Sequence, residues 1–204
     1  TDATQTFMKH DLHVSEEPVQ LPDLITVSSH KLHGPKGIGA LYVRKGVRLQ
    51  PVLRGGGQEF GMRSGTENVL GIMGFAAAVE LAEQADGEDF RQIRELQKFL
   101  IAELKKIPHI QLNGPKDIER RLVNNVHISI LGTEGDSLVL SLSKKDICVS
   151  TGATCSTRDP RPSHILKAIK LTDEAIRGSL RISISRYTTQ KDIEAFLKTL
   201  QSLL

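Results

Sequence analysis

The sequence predicts an α/β chain in two parts, a piece of a larger sheet domain followed by a smaller mixed domain. Three observations carry that expectation. Short β-branched runs of strand length, Leu24-Ile-Thr-Val27 and Gly39-Ala-Leu-Tyr-Val43 among them, alternate with longer stretches whose apolar residues recur every three or four positions. The polar stretch Gln84-Ala-Asp-Gly-Glu88 breaks this pattern and places a boundary near residues 82–90, dividing the chain into 1–85 and 86–204. Beyond it, strand and helix patterns alternate with the lengths of a two-layer α/β or α+β unit.

Composition narrows the function. Hydrophobic residues make up 39% of the 204 and charged residues 25%, ordinary for a chain that buries a core. A net charge of +3 with scattered Lys and Arg offers no basic stripe, so no nucleic-acid partner is expected. No apolar run approaches the roughly 20 residues of a membrane span, and no signal-peptide pattern opens the chain, so neither a membrane nor export is expected. Two cysteines, Cys148 and Cys155, make no disulfide framework and point to a reducing, cytoplasmic setting. His10 and His13, like His30 and His33, stand three apart, yet neither pair has further ligands nearby, and no metal site is expected.

The first chemical stretch is Val27-Ser-Ser-His-Lys-Leu-His-Gly-Pro-Lys-Gly37. A strand that delivers Lys31 into a glycine- and proline-marked bend suits a lysine forming an imine with an aldehyde cofactor. Ser28 and His30 beside it can donate to a phosphate. Taken alone, such a lysine is more often a plain surface residue. Before it, a polar opening around Asp2 and Gln5 has the character of a strand end, and 7–23 has that of a connection. After it, Gly55-Gly-Gly-Gln-Glu-Phe-Gly-Met-Arg-Ser-Gly65 holds five glycines in eleven residues, the density of a loop. Thr66 is placed to cap the helix that follows, where Val69, Ile72, Met73, Ala76 and Val79 recur at helical spacing. A glycine-rich loop feeding a helix start favours an anion; a flexible surface loop is the bland alternative.

In the second part, Phe90, Ile93, Leu96, Leu100, Leu104 and Ile107 line one face of a long helix stopped by Pro108. Strands are expected over 110–112, 125–130, 147–150 and 180–185, and helices over 135–142 and 189–203. The second chemical stretch is Ser150-Thr-Gly-Ala-Thr-Cys-Ser-Thr-Arg-Asp-Pro-Arg-Pro162. Small hydroxyl residues surround Cys155, the prolines delay a helix until about His164, and Arg158 and Arg161 favour a reachable thiolate. Cys148, inside an apolar strand pattern, is expected to be buried and inert. On the last strand Leu180, Ile182 and Ile184 alternate toward a core, leaving Arg181 on the other face, where a guanidinium can grip a carboxylate.

These segments together resemble the cysteine desulfurases, pyridoxal-phosphate enzymes of the class-V aminotransferase family and the aspartate-aminotransferase fold type. The resemblance rests on Asp2-Ala-Thr-Gln5, Ser28-Ser-His-Lys31 with Gly34-Pro-Lys-Gly37, Arg63-Ser-Gly-Thr66-Glu-Asn68 and Ser150-Thr-Gly-Ala-Thr-Cys155. No one motif is distinctive; four in family order are. The resemblance implies a partial fold-type-I large domain followed by a small α/β domain carrying the cysteine loop. It implies that Lys31 carries pyridoxal phosphate and moves protons, with Asp2 on the pyridine nitrogen and Gln5 on the ring hydroxyl. Ser28 and His30 would hold the phosphate, Thr66 would reach a phosphate across a dimer interface, and Arg181 would hold the substrate carboxylate. Cys155 would take the sulfur of L-cysteine as a persulfide.

The segment after Cys155 has the length of the long mobile-loop desulfurases. That class implies a homodimer and a sulfur-acceptor partner, an iron–sulfur scaffold or a tRNA-thiolation enzyme. Phe60 departs from relatives that carry a polar or basic residue in this loop. Relatives also place a phosphate-binding turn and a ring-stacking histidine ahead of the point where this chain starts. The resemblance therefore implies that the 204 residues lack an N-terminal half, are inactive alone, and leave the first strands poorly packed or swapped. Related class-V aminotransferases or a selenocysteine lyase, and a non-catalytic dimerisation or partner-binding fragment, are the competing expectations.

Overall fold

A computed structural model describes residues 1–9, 22–85, 87–152 and 163–204 and divides them into two units, Thr1–Gly87 and Glu88–Leu204. In the first, the β-branched run forms β1 (Leu24–Ser28), paired antiparallel with β2 (Gly39–Val43) so that Leu24 meets Val43 and Ser28 meets Gly39. On the other side of β1, Asp2 bridges Thr26 in parallel, and the Ala3 amide donates to the Thr26 carbonyl at 2.9 Å. The strands thus pair within the chain, but they are poorly covered, as expected: only Ile25 of β1 and no residue of β2 is buried, and Leu41 is exposed.

α1 (Val69–Gln84) follows the glycine-rich loop, but Thr66 does not cap it. Asn68 does, its side-chain oxygen accepting from the Gly71 amide at 3.0 Å. The bulky residues whose spacing marks this helix do not form its buried side. Val69 and Met73 are 62% and 63% exposed, whereas Gly71, Ala78 and Ala82 are buried. Close approach of the helix backbone to the Pro35 ring explains the reversal: a Cβ at Gly74 would come within 2.8 Å of that ring. Small residues let α1 lie against the bend after Lys31.

The second unit is built as two layers. α2 (Glu88–Leu104) buries Ile93, Leu96, Leu100 and Leu104, as its spacing predicts. Three antiparallel strands, β3 (Ile110–Leu112), β4 (Asn125–Ile130) and β5 (Ser179–Ser183), lie in the order β3-β4-β5. α3 (Gly135–Ser143) precedes two short helices, α4 (His164–Ala168) and α5 (Asp173–Arg177), and α6 (Gln190–Leu203) ends the unit. Val126, Ile128, Ile130, Leu180 and Ile182 point to one sheet face and share a core with Leu100, Leu142, Phe196 and Leu200. Alternation sends Asn125, His127, Ser129 and Arg181 to the opposite face.

Two expectations fail here. Residues 147–150 are not a strand; only Ser150 bridges β5, at Arg181. Cys148 is exposed instead of buried, because Ile147 and Val149 on either side of it turn toward the core. Among the described residues, no helix is long and apolar enough to cross a membrane, and no group of three His, Cys, Asp or Glu side chains could hold a metal.

Candidate active site

β1 ends at Ser28 and the chain closes into a single 3-10 turn over Ser29–Leu32, so Lys31 sits one turn beyond a strand end. The turn is locked from below. Ser29 and Leu32 are buried, the Ser29 amide donates to the Ile38 carbonyl, and the Gly34 amide donates back to the Ser29 carbonyl, each at 3.2 Å. His33 takes a left-handed backbone and reverses the chain. Ser28 is extended and its hydroxyl makes no capping bond to the turn, while His30 is exposed and Lys31 half-buried.

The bridge at Thr26 places Asp2 beside the same strand. The Thr4 side chain and the Thr4 amide, the latter at 2.9 Å, donate to the Asp2 carboxylate and hold its pKa below the ordinary aspartate value. Gln5 is exposed on the turn that follows, and its main-chain carbonyl is linked to that of Lys31 by a residue the sequence did not single out. Lys9 donates its ammonium to the Lys31 carbonyl at 3.1 Å and to the Gln5 carbonyl at 3.4 Å. Burial, and then the charge of Lys31, lower the pKa of Lys9. The first unit therefore gathers Asp2, Gln5, Ser28, His30 and Lys31 around β1 and its turn.

Thr66 is exposed in the glycine-rich loop. That loop is tied by the Ser64 hydroxyl to the Leu53 carbonyl at 3.1 Å and by the Gly65 amide to Gln58 Oε1 at 3.3 Å. Gly61 and Gly65 both adopt positive φ, a backbone need that accounts for part of the glycine density.

Arg181 lies in the second unit, on the sheet face away from the core. Its amide and carbonyl both bond Ser150, at 2.7 and 3.2 Å. Toward β4 it is therefore a non-hydrogen-bonded partner of His127, the closer kind of antiparallel pair, with Cα atoms about 4.5 Å apart. Asn113, just past β3, donates its amide to the His127 carbonyl at 2.9 Å and completes a row Asn113–His127–Arg181–Ser150 across the sheet. The row went unrecognised in the sequence, where the only signal is the polar alternation of Asn125, His127 and Ser129. Cys155, with Arg158 and Arg161, lies outside the described residues, as do His10 and His13.

The chain matches the family model for aminotransferase class V over residues 1–196. It is 42% identical, over its whole length, to the cysteine desulfurase IscS of Clostridium botulinum (strain Hall), covering 51% of that protein. It is 44% identical to the cysteine desulfurase IscS 1 of Archaeoglobus fulgidus over 182 residues, 89% of this chain and 47% of that one. Among solved structures, a NifS-like protein from Rickettsia africae superposes with a TM-score of 0.87 at 33% identity, over 99% of this chain and 52% of that one. A second NifS-like protein gives 0.85 at 35%, over 99% and 51%. The chain spans about half the length of the curated relatives it matches. Its mixed α/β architecture is that of part of a fold-type-I, aspartate-aminotransferase-type protein. This chain belongs to the class-V aminotransferase family.

Proposed function

We propose that this chain carries the lysine and the cysteine of a pyridoxal-phosphate-dependent cysteine desulfurase, which converts L-cysteine to L-alanine and leaves a persulfide on Cys155. The observation that carries the reading is the course of β1: bridged to Asp2 at Thr26, it runs directly into the Ser28–Lys31 turn. Residues 1–85 would then supply the cofactor side and residues 86–204 the small domain with the cysteine loop.

The residues of that turn suit the cofactor. The Ser28 hydroxyl is not used as a cap, His30 is exposed, and both are donors an anion can take. Asp2, held ionised by Thr4, is suited to a protonated ring nitrogen, and Gln5 and Thr66 are exposed polar groups for the ring hydroxyl and a phosphate. Pyridoxal phosphate, when bound, supplies an electron sink at the substrate α-carbon. Lys31 holds the cofactor and moves the α-proton, and Arg181 orients the substrate through its carboxylate. The Cys155 thiolate attacks the substrate sulfur: an S–S bond forms as the carbon–sulfur bond breaks, and the electron pair returns to carbon, which takes a proton.

The family reading brings with it a homodimer, a sulfur-acceptor protein of the iron–sulfur scaffold or tRNA-thiolation kind, and a cytoplasmic setting. Exposed Val52, Phe60, Leu70 and Met73 support association with another chain. The test is to incubate the intact pyridoxal-phosphate-loaded protein with L-cysteine and measure alanine and, with a thiol reductant, sulfide. Equal amounts of both, lost in Cys155→Ser, are expected. Alanine without dependence on Cys155, or transamination of the cofactor in place of sulfide release, would contradict the reading.

A further inference from the structure

Hydrogen-bond polarity along the sheet row fixes the state of a histidine beside Arg181. The Ser129 hydroxyl lies 2.6 Å from the Ala175 carbonyl, which can only accept, so the hydroxyl proton points there. Ser129 Oγ must then accept from Asn113 Nδ2, at 2.8 Å, which sets the orientation of the Asn113 amide. The second hydrogen of that NH2 group faces His127 Nδ1 at 2.9 Å. Nδ1 is therefore the acceptor, and the imidazole proton sits on Nε2.

That Nε2–H is buried and has no hydrogen-bond partner, and the same holds for Arg181 Nε. Among the described residues, Arg181 has no ion pair or side-chain hydrogen bond at all. Two unsatisfied N–H donors on adjacent cross-strand residues cannot serve each other, and a buried donor left unpaired is destabilising. Both need an acceptor from outside the row. Burial first, and then the cations Arg181 on β5 and Arg121 before β4, lower the pKa of the imidazole from 6.5 to about 4 and keep it neutral. A neutral donor leaves the Arg181 charge available, where an acidic neighbour would neutralise it.

We propose that His127, fixed as the Nε2–H form by Asn113, is a second donor to the carboxylate that Arg181 binds. This rests on the reading of Arg181 as the substrate-carboxylate residue, and the test keeps the two apart.

In the intact loaded enzyme, equilibrium binding of L-alanine and of L-alaninamide, which lacks the carboxylate, would be measured for wild type, His127→Leu, His127→Gln and Arg181→Lys. The expected result is that His127→Leu weakens L-alanine about tenfold or more. His127→Gln, which restores an N–H donor, should recover most of that loss, and L-alaninamide should bind wild type and both His127 variants equally. Wild-type imidazole resonances report without any substitution: saturating L-alanine should shift the His127 Nε2 signal and raise the pKa of the ring. Should Arg181→Lys weaken L-alanine while His127→Leu does not, or should the His127 resonances ignore the ligand, the proposal is overturned and the Arg181 reading stands. Equal weakening of L-alanine and L-alaninamide in His127→Leu would mean a packing role and also overturn it. If neither Arg181 nor His127 affects L-alanine, both readings fall.

Discussion

Lys9 donates its ammonium to the main-chain carbonyl of Lys31 at 3.1 Å, so one lysine holds the backbone of the other. The same ammonium reaches the Gln5 carbonyl, which makes Lys9 a clasp between the segment after Asp2 and the turn after β1. Lys9→Met keeps the aliphatic stem and removes the donor. We expect a stability loss of about 1 kcal/mol in denaturant unfolding and faster amide exchange at Gly34, whose bond closes the turn. Unchanged exchange there would show that the clasp does not hold the turn.

The same turn has no room beneath it. A Cβ at Gly34 would fall 2.1 Å from Ser29 Oγ and 3.0 Å from Ala78 Cβ. Gly34→Ala should therefore cost about 1–3 kcal/mol as an overpacked site. Gly57→Ala, with nothing within 4 Å, should have little effect. Thermal melts of the two variants measured side by side decide the matter; equal melting temperatures would refute the packing argument.

How much of this was legible in the sequence depends on whether the signal was local. The pattern on α2 and the alternation of β5 placed their core faces correctly, because one buried face of each element dictates its period. The strand-to-lysine turn was legible because Gly34 and Pro35 end the strand pattern sharply. α1 was read from its bulky residues, but a long-range approach to Pro35 selects its small ones. Cys148 was misjudged because an apolar run without a ladder partner still alternates, and its odd position faces out. Lys9 carries no local signal, and the polar alternation around His127 does not name the partners of its row, which lie far away in sequence.

The neutral state of His127 has a consequence for stability. Its folded pKa, about 4, lies below the ordinary 6.5, so between those values the unfolded chain binds more protons. Stability should then be full above pH 6.5, fall as pH drops through this window, and level off below about 4. The loss attributable to His127 is about 3 kcal/mol. Unfolding free energies of wild type and His127→Gln across this range isolate the effect, since carboxylates titrate in both. Parallel curves would mean that the imidazole is not held neutral by the fold.

Exposure of Cys148 predicts that a thiol reagent labels it in the native Cys155→Ser variant before any substrate is added. Cys148→Ser should leave alanine formation from L-cysteine within about twofold of wild type, because the side chain is exposed and faces away from the core. Peptide mapping of the label and a turnover assay check the two halves. Loss of turnover in Cys148→Ser would show that the sulfur chemistry belongs to Cys148 and not to Cys155.

The central claim is that Lys31 carries the cofactor. Borohydride reduction of the intact pyridoxal-phosphate-loaded protein fixes the imine as a stable amine, and peptide mass mapping then locates it. The account predicts the modified lysine within Ser28-Ser-His-Lys-Leu-His33, at Lys31, with no pyridoxyl group retained in Lys31→Ala. A pyridoxyl group on Lys9, Lys36 or any other lysine of the native protein, with Lys31 unmodified, would contradict it.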